Sequence, residues 1–133
     1  MSPNKKALTL AVFFLSVGAH AGEAEQALAN ELVDCAAYYQ ISSEAISAMK
    51  DAPQMQVVGE RLKQSATDTL SLAGKYADGS DLDAMLKEAR ERQVASLAGS
   101  SSLATLMAKY KDQCKDILAN PEARLDYWVM SKM

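Results

Sequence analysis

Cys35 and Cys114 are the only cysteines in the chain, and the N-terminus indicates the redox chemistry they meet. Lys5 and Lys6 precede an apolar run from Ala7 to Leu15, and Ala19-His20-Ala21 follows as a small-x-small site. A short basic region, an apolar stretch of about ten residues and a small-residue site together describe a secretory signal peptide. The sequence therefore predicts cleavage near Ala21, with residues 1–21 removed and 22–133 left as one helical domain, periplasmic or secreted. The apolar run falls short of the ~20 residues that span a bilayer, so no stable membrane anchor is expected after cleavage. In an oxidising compartment two cysteines pair. A bridge closing a loop of about 80 residues contributes roughly 4.5 kcal/mol in the chain-entropy view. No C-x-x-C occurs, so a structural disulfide is favoured over thiol exchange.

Cleavage also changes the chemistry at hand. It removes Phe13, Phe14 and the only histidine, His20, and losing Lys5 and Lys6 takes the formal net charge from −3 to −5. Ser-His-Asp and Cys-His nucleophile systems, and His-bearing zinc sites, are then impossible. An acidic chain without a basic cluster lacks the phosphate-neutralising surface that nucleic acid requires. The expectation is a non-enzymatic protein with no cofactor.

The remainder is rich in alanine and poor in Val, Ile and Thr, a composition that favours helix over strand. Leu28, Leu32, Cys35, Tyr39, Ser42, Ile46 and Met49 recur at helical steps and predict a first helix over about 23–50, with Tyr39 more buried than Tyr38. Pro53 suits the first turn of a second helix, whose stripe runs through Met55, Val58, Leu62, Ala66, Thr69, Ala73 and Tyr76. Asp78-Gly79 reads as its end, and Ser80 as the cap of a third helix with Leu82, Met85, Leu86, Ala89, Gln93, Val94 and Leu97 on its inner face. Glu88 and Arg92 form an i,i+4 pair on the outside of that helix. Gly99-Ser100-Ser101-Ser102 reads as a break, although one long helix from 81 to 119 would shift the apolar phase only slightly. Leu103, Leu106, Met107, Tyr110, Cys114, Ile117 and Leu118 mark a fourth helix. Asn120-Pro121 caps and opens a short fifth. The predicted fold is all-α: an up-down four-helix bundle plus a C-terminal helix, with the first and fourth helices bridged by Cys35–Cys114.

Little in this pattern points to chemistry. Asp34, Glu44, Glu60 and Asp68 read as solvated helix positions. The Asp78–Asp83 run fails the ligand spacing of a calcium loop, because Met85 stands where the required glutamate should be. Methionines such as Met130 and Met133 can bind cuprous copper, yet Met49, Met55, Met85 and Met107 lie on inner stripes, where methionine fills gaps. The richest stretch is Leu125-Asp126-Tyr127-Trp128-Val129-Met130. Neighbours on a helix point 100° apart, so these apolar side chains cannot all enter one groove. Leu125 and Trp128 either close the end of the bundle or act with Tyr127 and Met130 as anchors for a partner. In size and plan the chain is similar to periplasmic acid-stress chaperones and to immunity proteins that neutralise toxins, a likeness of architecture rather than of motif. The leading expectation is an exported protein that binds another protein through a bundle face or residues 125–130. The alternatives are a small-ligand or metal carrier, an acid-stress chaperone and a toxin-immunity protein.

Overall fold

A computed structural model describes the backbone of residues 2–98 and 102–133, and side chains from Gly22 onward. The expected signal peptide, residues 1–21, therefore lies outside the described side chains. The described residues form five helices and no strand: α1 Ser2–Ser47, α2 Pro53–Ala73, α3 Gly79–Ser96, α4 Leu103–Ala119 and α5 Pro121–Ser131. No helix among them is long and apolar enough to cross a membrane.

α1 is the hub. α2, α3, α4 and α5 all pack on it, whereas α2, α3 and α4 touch one another far less. A helix enclosed on several sides must be apolar around most of its circumference. From Leu32 to Ser43 only Asp34, Tyr39 and Gln40 escape full burial. Ala36 and Ala37 let neighbouring helices approach closely, and Tyr38 is 3% exposed. This corrects the expected order of the two tyrosines: Tyr38 is buried and Tyr39 half-buried, because α4 brings Tyr110 onto the Tyr38 ring at 5.8 Å between centroids. Met49, expected on the inner stripe, lies beyond the end of α1 and is exposed.

Two core clusters sit along α1. Leu28, Leu32, Val33 and Ala37 meet Ala73 of α2, Leu82 and Ala89 of α3 and Ile117 of α4. Cys35, Tyr38 and Ile41 meet Leu106, Tyr110 and Cys114 of α4. The disulfide joins Cys35 to Cys114 inside the second cluster, with Cα atoms 5.7 Å apart. Small residues set the contact of α1 with α2. Ser43 Oγ donates to the Gly59 carbonyl at 2.8 Å, and a Cβ on Gly59 would run into Ser47 Oγ. Gln56 Nε2 donates to the Ser47 and Met49 carbonyls at 3.2 and 2.9 Å, at Ser47 satisfying an acceptor that the end of α1 leaves unpaired.

Pro53 opens α2 as expected, but α2 stops at Ala73, several residues before Asp78-Gly79. Gly74 stays right-handed at its end, with φ −63°, and turns over 74–76 lead out of the helix. Gly79 instead begins α3, and Asp78 is its extended N-cap without a side-chain bond. Ser80 is thus inside the helix rather than its cap. α3 and α4 are separate helices, ending at Ser96 and starting at Leu103. Of the expected break, Gly99, Ser100 and Ser101 lie outside the described residues. Asn120 caps α5 as the sequence indicates, its side-chain oxygen accepting from the Ala123 N–H at 3.2 Å.

Candidate functional site

The C-terminal helix is fastened to the hub by one carboxylate. Glu31 lies on α1 beside Leu32, and its side chain is only 14% exposed. Arg124 grips it through two bonds, Nε to Oε1 at 2.7 Å and an Nη to Oε2 at 2.6 Å. This is the bidentate arrangement in which guanidinium–carboxylate pairs are strongest. The Trp128 indole N–H donates to Oε1 at 2.5 Å, and Gln113 of α4 donates to Oε2 at 3.3 Å. Burial pushes the Glu31 carboxyl upward, but the bonds from Arg124, Trp128 and Gln113 outweigh it and leave the group below its ordinary value.

This latch sorts the aromatic stretch into two faces. Trp128 and Leu125 are half-buried against the core cluster of Leu28, Leu32 and Ile117. Tyr127 is 51% exposed, Met130 75% and Met133 95%, and Val129 also faces solvent. Tyr127 and Met130 lie about one turn apart and form a short row on one side of α5, and Met133 lies past the end of the helix at Ser131. Arg124 stiffens the row from beneath: its guanidinium carbon lies 4.3 Å from the Tyr127 ring centroid, and Tyr127 meets Trp128 edge-on at 5.2 Å. A cleft of about 440 Å³ opens beside this row between α4 and α5, floored by Ile117 and Ala123 and flanked by Gln113, Arg124 and Tyr127.

Of the four partner-binding residues expected from sequence, the structure turns Leu125 and Trp128 inward and leaves Tyr127 and Met130 outward. Sequence reasoning did not single out Glu31, Arg124 or Gln113. Two of the expected solvated acids take part in cross-helix pairs: Asp34 with Arg92 at 3.1 Å and Glu44 with Arg90 at 2.8 Å. Arg92 thus reaches across to α1 as well as lying one turn from Glu88. Among the described residues no group of three His, Cys, Asp or Glu side chains is placed to hold a metal ion. No protein-family model, curated protein or solved structure matches the chain.

Proposed function

We propose that the chain is a small exported, non-catalytic protein that binds another protein through the outward side of α5. One observation carries the reading: an aromatic helix is latched to the hub through its inner side, while Tyr127 and Met130 remain uncovered on the other and Met133 is exposed beyond its end. A short helix presenting apolar residues at successive turns is the form that inserts into an apolar groove of a partner. Holding Tyr127 against Arg124 lowers the entropy lost on docking, and tyrosine is among the residues enriched at binding hot spots. The adjoining cleft between α4 and α5 offers room for one side chain of the partner. Export is supported by the tripartite N-terminus and by a buried disulfide, a bond that persists in oxidising compartments.

The test is site-specific photocrosslinking in the native cell, with a benzophenone amino acid at Met130 or, as a control, at the exposed Lys63 of α2. A discrete adduct from position 130 that is absent from position 63 is expected. Combining the probe with Tyr127→Ala should weaken the adduct at least fivefold while the circular-dichroism spectrum is retained. No adduct at 130, or equal adducts at both sites, rejects the reading.

A further inference from the structure

Because α2 and α4 both lean on α1 rather than on each other, an open groove of about 320 Å³ separates them over the C-terminal half of α1. That volume sits at the lower end of the roughly 300–1,000 Å³ of small-molecule pockets. Tyr39 and Ile46 of α1 form its floor, Val58 and Leu62 of α2 one wall, and Met107 of α4 the other. Val58 is exposed, and Leu62 and Met107 are only half-buried, so the chain's own helices leave this apolar channel uncovered. Two basic residues give it a polarity. Lys111 and Lys115, one turn apart on α4, line it on one side, and neither pairs with an acid among the described residues. The Cys35–Cys114 bridge lies next to Lys115 and holds this end of α4 on the hub.

We propose that this groove binds a single-chain anionic amphiphile, its carboxylate beside Lys111 and Lys115 and its alkyl chain along Ile46, Val58 and Leu62. The choice follows from complementarity: an apolar trough takes a chain, two adjacent ammonium groups on one rim take a negative head, and no acid lines the trough. The proposal is independent of the α5 surface, which lies elsewhere on the molecule.

Titration calorimetry on the full chain with its disulfide formed decides it, using octanoate, decanoate, decanol and decyltrimethylammonium below their micelle concentrations. Decanoate should bind one per chain, tighter than octanoate by about fourfold per added methylene while the groove fills. Decanol should bind about fivefold more weakly, as loss of two exposed ion pairs implies, and the cationic amphiphile should not bind. The Lys111→Gln, Lys115→Gln double variant should bring decanoate down to the decanol affinity. Val58→Asp, at an exposed position that leaves the core intact, should abolish binding. Equal affinity for the acid, the alcohol and the cation overturns the proposal, as does decanoate binding untouched by both variants. So does binding to phosphatidylglycerol vesicles without uptake of the soluble acid. A self-association lost in Val58→Asp, without decanoate binding, would assign the groove to a second copy and equally refute it.

Discussion

Glu31 draws α1, α4 and α5 together through a single carboxylate, and that makes it the residue on which the C-terminal helix depends. Its partners Arg124 and Trp128 lie 93 and 97 positions further along the chain. Hydrogen bonds to a charged group contribute about 1.5–3 kcal/mol each, so Glu31→Gln should cost about 2–3 kcal/mol in urea unfolding. The loss should also remove a pH dependence. The folded-state pKa of Glu31 lies below its ordinary value, so the stabilisation is complete above the usual glutamate range and fades as pH falls through the lowered folded value. Wild type should accordingly lose more stability than Glu31→Gln on acidification below that range; parallel pH profiles for the two would contradict the latch. This residue was illegible in the sequence because helical periodicity reports which side of a helix is apolar, whereas the partners of a polar residue on that side are set by tertiary folding. Asn120, whose capping bond closes within three residues, was legible for the complementary reason.

Among the helices, α1 and α2 are joined by close approach rather than by large interlocking side chains. Ser43 bonds the Gly59 carbonyl, and Ala66, Thr69 and Ala73 continue the seam. Gly59 is required there for its lack of volume, not for its backbone freedom. Overpacking a tight site typically costs 1–3 kcal/mol, and Gly59→Leu should lower stability by about that amount even though leucine is the better helix former. An unchanged or raised urea midpoint would mean that the helices can separate at no cost. The extents of α4 and α5 were readable because Asn, Pro and a clean apolar stripe act locally. The end of α2 was not. Tyr76 continues the apolar rhythm, yet the chain leaves the helix at Ala73 so that Tyr76 and Ala77 can pack around the corner against the same cluster. Helical periodicity inverts the burial of Tyr38 and Tyr39 for a related reason: a single stripe describes a helix on the outside of a bundle, but a hub has apolar contacts on several sides.

For the molecule as a whole, the all-helical class and the single possible pairing of cysteines follow directly from composition and a count of two cysteines, while the hub arrangement does not, since short loops suit a bundle and a hub alike. The bridge closes a loop with a sequence separation of 79, so Cys35→Ser with Cys114→Ser, or reduction of the native protein, should lower stability by roughly 4–5 kcal/mol. That is a large part of the ~5–15 kcal/mol available to a domain, and a drop below 1 kcal/mol in the reduced protein would show that α4 is held by packing alone. The hub arrangement has one more implication, for how such a chain can diverge. Energetic coupling between substitutions is small when their sites share no neighbours, and side chains on the outer reaches of α2 and α4 answer to α1 but hardly to each other. Lineages can therefore rewrite one spoke without compensating changes on the next, while the enclosed stretch of α1 from Leu32 to Ser43 leaves far less room for change.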